Sequence, residues 1–211
     1  MENFFYKVND KDYEVVVVIK RIKNIHYHFR DGKFLVSCNR YVTKRQIIVG
    51  LDRFAKKLVE RGEKKNGQGD NFIYIFGEKM DLPFPGSIRI SGYPPIKYKD
   101  MDDLNRKLKP IFLDIVTERV RYYEKLMKVP SYRVTVRNMK TRLGSNSKSQ
   151  KHITIAYSLI HYSTPILDSV IVHELAHIKE YNHSKKFYDV VYKYCPDYPE
   201  LRRKLVKGEF K

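Results

Sequence analysis

The sequence predicts an α+β fold: a β-rich N-terminal lobe carrying one helix, packed on a C-terminal half of short antiparallel strands and helices. Three observations predict it. Strand-like runs of β-branched or alternating residues crowd the first hundred positions. Two long stretches, about 43–61 and 102–128, space their apolar residues three and four apart, as an amphipathic helix does. The last third then passes from two short strands into a helix that is apolar nearly all round. The expected division is a lobe over 1–98 and a second half over 99–211, forming one compact unit. With 211 residues, 42% of them hydrophobic, the chain is long enough to bury a core without staples.

Along the chain, residues 13–20 (YEVVVVIK) read as a strand. Ile25, Tyr27 and Phe29 alternate with polar neighbours up to Asp31-Gly32, and the run KFLVSC follows. An Asp-Gly pair between strand-like runs predicts a hairpin, because a tight primed turn needs positive φ. Thr43 and Gln46 fit a capping box that opens a helix with Ile47, Ile48, Leu51, Phe54, Ala55, Leu58 and Val59 on one face, expected to stop at Gly62. After a polar loop over 62–70, short strands are expected at about 71–76 and 87–91. The helix from about Asp102 to Lys128 should be divided or kinked at Pro110, which lacks the donor an interior position requires. A strand at 133–137, a turn over 143–150 and a strand at 152–157 then lead to a helix from about Pro165 to Tyr181, with Thr164 as its N-cap.

Composition narrows the function classes. Two cysteines, Cys38 and Cys195, neither in a C-x-x-C pair, exclude a disulfide scaffold and read as reduced thiols. No run approaches the roughly 18 apolar residues of a membrane span. The opening Met-Glu-Asn lacks the basic and apolar regions of a signal peptide, so a cytoplasmic location is expected. Lys and Arg number 42 against 24 Asp and Glu, a net charge of +18. Such an excess favours anionic partners, nucleic acid among them; a Lys-rich, Trp-free composition can equally reflect codon bias.

The chemistry concentrates on the last long helix. In His173-Glu174-Leu175-Ala176-His177 the histidines stand four apart, about one turn, so both imidazoles project from one face at a separation that one tetrahedral zinc ion can bridge. Glu174, one residue on, can reach a water polarised by the ion without ligating it, and is the natural general base. At this composition the pattern arises by chance with a probability of roughly 0.01. A third ligand is needed. His183 is the first candidate: the helix must end after Tyr181 for it to turn back, with Asn182 suited to a left-handed cap and Ser184 to N-capping the next helix. Glu180, on the same face as His177, is the competitor, and otherwise a partner that orients a ligand. From Lys125 to Leu167 there are 43 residues with no Asp or Glu and eight basic ones, a positive rim for anionic substrate. Arg137, Lys140, Arg142 and Tyr157 are the candidate substrate contacts from that segment and its edge. His26, His28, His152 and His161 read as strand or loop residues.

The stretch VHELAHIKEYNHSKKFYDVV (172–191), with RNMKTRLGS (137–145) and HITIAYSLI (152–160), resembles the YgjP-like metallopeptidases, relatives of the SprT-like and Wss1-like zincins. The order of elements extends the resemblance over about residues 13–206. It implies a zincin-like catalytic half with His173, His177 and His183 as ligands of one zinc ion, Glu174 as catalytic carboxylate, and an extended peptide pairing with the edge of the strand at 152–157. The chain departs from the family pattern where R-W-G-S-C is replaced by Arg142-Leu143-Gly144-Ser145-Asn146, and at Ala156, where Asn is usual. The function expected is zinc-dependent hydrolysis of peptide bonds in a polypeptide. Metal-dependent hydrolysis of a nucleotide phosphoanhydride and a nucleic-acid-associated role are the alternatives.

Overall fold

A computed structural model of the chain describes residues 3–30, 32–69, 71–139 and 141–211, and the side chains of these except for residues 30 and 61–66. It has two compact units, Met1–Lys65 and Asn66–Lys211, and mixes strands and helices as an α+β fold. No helix among the described residues is long and apolar enough to cross a membrane.

The first unit is a four-stranded sheet with one helix. Strands β1 (Phe4–Val8), β2 (Lys11–Ile19), β3 (His26–Arg30) and β4 (Lys33–Cys38) lie in the order β1-β2-β4-β3, with β2 and β4 parallel and the other pairs antiparallel. The β3–β4 hairpin pairs Arg30 with Lys33 across a two-residue turn, and Gly32 takes the positive φ, +72°, that such a turn demands. The first turn residue, Asp31, lies outside the described residues. Phe34, Val36 and Cys38 alternate inward from β4 and meet Ile47, Leu51, Ala55 and Val59 of helix α1 (Lys44–Asn66) in one core. The capping box forms: the Thr43 N–H donates to Gln46 Oε1 (2.8 Å) and the Gln46 N–H to Thr43 Oγ1 (3.3 Å). The helix runs past Gly62 to Asn66, and Gly67 (φ +65°) supplies the left-handed residue after it. A glycine inside a helix costs only about 1 kcal/mol, which a long helix absorbs.

In the second unit, β5 (Phe72–Ile75) and β6 (Glu78–Asp81) form a hairpin, and β7 (Gly86–Ile88) pairs with β8 (Ile96–Tyr98). Their buried Ile73, Ile75, Leu82, Ile88, Ile96 and Tyr98 share a core with Leu104, Leu108 and Phe112 of helix α2 (Met101–Met127). This shared burial makes β5 to β8 part of the second unit, Asn66–Lys211. Helix α2 is continuous through Pro110. Pro110 and Arg106, whose carbonyl loses its partner, are both exposed, so water can satisfy it.

Strands β9 (Arg133–Arg137), β10 (Gly144–Ser147) and β11 (His152–Ala156) form a sheet in the order β10-β11-β9, with β11 antiparallel to β10 and parallel to β9. The strand at 152–156 is therefore central and paired on both sides; β10 and β9 are the two edges. A 3₁₀ turn over Tyr157–His161 leads into α3 (Thr164–Lys179), whose N-cap is Ser163 rather than Thr164, and then α4 (Lys185–Tyr194) and α5 (Tyr198–Lys207) follow. Helix α3 is buried almost throughout from Ile166 to Ala176, as its all-round apolarity requires. Asp168 on it accepts from Arg119 Nε (2.9 Å) and from the Tyr123 hydroxyl (3.2 Å), fixing α3 against α2.

His161 bears on stability. It is buried, and its Nδ1–H donates to the Tyr74 carbonyl (2.8 Å). Burial pushes its pKa down to about 4, partly opposed by that carbonyl. The unfolded chain binds this proton below about pH 6.5, the native chain only near 4. Stability is therefore full above 6.5 and falls as the pH drops through this window, by up to roughly 3 kcal/mol. In denaturant titrations, His161→Gln is expected to lower stability at pH 7 but to show a shallower decline from pH 6.5 to 4 than the parent chain.

Candidate metal centre

Helix α3 supplies the first half of the site. His173 and His177 stand one turn apart with ring centroids separated by 5.0 Å, on the face of α3 that does not enter the core. The helix ends at Glu180, its C-cap, and the chain reverses within four residues: the Ser184 N–H donates to the Asn182 carbonyl (2.7 Å) and Ser184 Oγ caps α4 at Phe187 N. Asn182 is not among the positive-φ residues, so the turn is made by this short backbone bond and not by a left-handed cap. The reversal brings His183 back, with its ring 5.0 Å from that of His173 and 4.8 Å from that of His177.

One ligand atom from each of the three histidines falls within 4.8 Å of the others, and His173 Nε2 and His183 Nε2 lie 3.1 Å apart. Two nitrogens ligating one zinc at about 2.0–2.1 Å with tetrahedral angles stand roughly 3.3–3.4 Å apart, so the spacing fits a shared cation. The far side of two of the rings is occupied. His177 Nδ1 lies 3.1 Å from the Tyr181 carbonyl, and since a carbonyl can only accept, Nδ1 carries the proton and Nε2 is left bare. His173 Nδ1 lies 2.8 Å from the hydroxyl of Tyr198, at the start of α5. Phe187 of α4, fully buried, forms the floor, its ring 4.7–4.9 Å from all three imidazoles. Burial and the neighbouring His177, His183 and Arg202 push the His173 pKa down to about 3, and burial with His183 lowers that of His177. Both are neutral at physiological pH, the state in which imidazole ligates metal.

Glu174 stands roughly 100° around the helix from His173, lines the same cleft and packs against β10. It is 7% exposed, and burial raises its pKa to about 7 against the opposing pull of Arg142. Two residues of β10 hold this region. Asn146 Nδ2 donates to the backbone carbonyl of Glu174 (2.7 Å), and Gly144 lies flat against the carboxylate: a Cβ there would stand 2.5 Å from Glu174 Oε1. The cleft in front of the histidines measures about 650 Å³; its lining includes Gly144, Ser145 and Asn146 of β10, Glu174, Tyr198 and the cations Arg142, Lys148 and Arg202, and among the described residues Glu174 is the one acidic member.

Of the residues singled out from the sequence, His173, His177, His183, Glu174 and Arg142 meet at this cleft. Arg137 is exposed at the end of β9 and does not line it. Tyr157 turns away, its hydroxyl donating to Asn105 Oδ1 (3.1 Å). Glu180 approaches His177 through its backbone carbonyl and its carboxylate stays outside the cluster. Lys140 lies outside the described residues. Sequence reasoning missed Tyr198, Arg202, Asn146 and Gly144: Tyr198 and Arg202 reach the site only when α5 folds back, and the polar run Gly144–Ser147 carries no strand periodicity.

A family model described as the YgjP-like metallopeptidase domain matches residues 95–207, more than half of the chain and all of the site. No curated protein matches. Among solved structures, the metallopeptidase zymogens abylysin of Pyrococcus abyssi and jannalysin of Methanocaldococcus jannaschii are similar. They are 21% and 22% identical and cover 43% and 44% of this chain and 91% and 94% of their own, each with a TM-score of 0.41. On the family match, this chain belongs to the YgjP-like metallopeptidases.

Proposed function

We propose that the chain is a zinc-dependent peptidase in which His173, His177 and His183 hold one zinc ion and Glu174 is the general base. The observation that carries this reading is the convergence of three imidazoles within 4.8 Å beside a buried carboxylate in an open cleft. When bound, zinc supplies Lewis acidity, lowering the pKa of water and polarising the scissile carbonyl. The protein's own groups do the rest. Glu174 accepts the proton of the attacking water and passes it to the leaving nitrogen as the C–N bond breaks. Tyr198 and the Tyr181 carbonyl fix the rings of His173 and His177. The free edge of β10 offers backbone donors and acceptors to an extended polypeptide. Arg142, Lys148 and Arg202 raise the potential of the cleft and favour substrates with anionic groups.

The test is metal analysis of protein purified without chelator or nickel resin, followed by assay on an unfolded protein substrate. About one zinc per chain is expected, with cleavage lost on chelation and restored by zinc. Turnover of nucleoside triphosphates with no peptide cleavage would instead favour the phosphoanhydride alternative, which the same cationic cleft could serve.

Gly144 gives a sharper check. Because the three atoms nearest the added methyl of Gly144→Ala all belong to the Glu174 side chain (Oε1, Cγ and Cδ, 2.5–2.8 Å), the carboxylate is expected to be displaced while the fold stands. Misplacement by about 1 Å costs on the order of 100-fold in rate. We expect kcat to drop by that order with zinc content and melting temperature unchanged.

A further inference from the structure

The first unit, outside the stretch matched by the family model, carries a basic groove that peptide hydrolysis does not explain. Because β2 and β4 are parallel neighbours, the loops that follow them leave the same end of the sheet. They are tied together. The Lys20 N–H donates to the Cys38 carbonyl (2.8 Å), Asn39 Nδ2 to the Ile22 carbonyl (3.4 Å), and the Tyr41 N–H to Asn39 Oδ1 (2.9 Å). Between them runs a groove of about 860 Å³ lined by Lys20, Arg21, Lys23, Arg40 and Tyr41 and, among the described residues, by no acidic one. All five are exposed. The described ion pairs of this unit, Lys7–Asp10 and Glu14–Lys33, lie elsewhere, so none of the four cations is neutralised by a described carboxylate.

Tyr41 identifies the ligand. It is 75% exposed, yet its ring is held: the Arg40 guanidinium lies 4.8 Å from the ring centroid and donates to the hydroxyl (2.6 Å). Four uncompensated cations answer a run of phosphates. A solvent-facing aromatic ring, oriented by a guanidinium, answers an unstacked base, which a duplex or an acidic peptide cannot supply. The geometry points to single-stranded nucleic acid as the ligand of this groove, with Lys20, Arg21, Lys23 and Arg40 on successive phosphates and a base stacked on Tyr41. The inference does not depend on the peptidase reading.

The test uses the full chain and a fluorescein-labelled 20-nucleotide oligothymidine, with binding followed by anisotropy from 50 to 200 mM salt. Each phosphate contact to a single strand contributes about −0.7 to the slope of log K against log salt. The triple variant Lys20→Ala, Arg21→Ala, Lys23→Ala is expected to bind at least tenfold more weakly, with a slope less negative by about 2. Tyr41→Ala should bind roughly tenfold more weakly at unchanged slope, while Tyr41→Phe, which keeps the stacking face, should bind as the parent does. A duplex of the same length should bind more weakly than the single strand. The proposal is overturned if the triple variant keeps both affinity and slope, or if Tyr41→Ala binds as well as the parent. It is equally overturned if polyglutamate or phosphatidylserine vesicles displace the oligonucleotide as well as unlabelled strand does, which would mark an unselective polyanion surface.

Discussion

Replacing Glu174 by glutamine is expected to lower peptide turnover by about 10²- to 10⁴-fold, the range that loss of a general base produces. It should leave about one zinc per chain. The amide keeps the size and packing of the carboxylate against Gly144 but cannot take a proton. Because the three imidazoles are held by Phe187, Tyr198 and the Tyr181 carbonyl, metal content should not change. The two readouts must be taken together. A variant inactive and empty of metal would have lost its ligands, and one that retained full activity with metal bound would show that another group handles the proton.

A second large effect is expected from His183→Ala. His183 is the exposed member of the three and sits on the turn between α3 and α4, so its loss should leave the metal-free fold standing. Zinc recovered after dialysis should fall from about one equivalent to a small fraction, and activity should go with it. On the proposed reading, zinc at a thousand times its dissociation constant would stabilise the parent chain by about 4 kcal/mol; in the variant, added zinc should no longer raise the melting temperature. Full retention of zinc would transfer the third position to another donor, with Glu180 the first to examine.

These two residues also mark how far the sequence could be read. His173, Glu174 and His177 are fixed relative to each other by the 3.6-residue period of one helix, so their juxtaposition follows from spacing alone. His183 follows from a local argument, since only a reversal immediately after the helix returns it to the face it left. The reversal was read correctly and its mechanism was not: the expected left-handed Asn182 is replaced by a bond from the Ser184 N–H to the Asn182 carbonyl. Where partners come from distant segments, local pattern fails. Tyr198 meets His173 only through the packing of α5 on α3, and Glu180, nearer in sequence, presents its backbone instead. Tyr157, at the end of the last strand, is claimed by Asn105 of α2.

The same contrast holds for the fold. Hydrophobic alternation and the Asp-Gly signal located β2, β3 and β4, and apolar spacing located the long helices. β6 was missed because its hairpin turns through Phe76-Gly77, both at positive φ, where Asn or Asp is the usual first residue. β10 was missed because Gly-Ser-Asn-Ser has neither alternation nor β-branched residues. Its strand form is imposed by pairing with β11, and by Asn146 reaching the backbone of α3.

β10 has one further consequence. On the proposed function, a strand of glycine, serine and asparagine with one side unpaired would recognise peptide backbone and be nearly indifferent to what the visiting side chains are. To lie along it, a chain must first surrender its own helix or sheet bonds over several residues, and must offer amide hydrogens that proline lacks. Selection would then rest on how readily a stretch of the target opens: well-folded proteins would be spared, and nascent, heat-damaged or truncated ones consumed first.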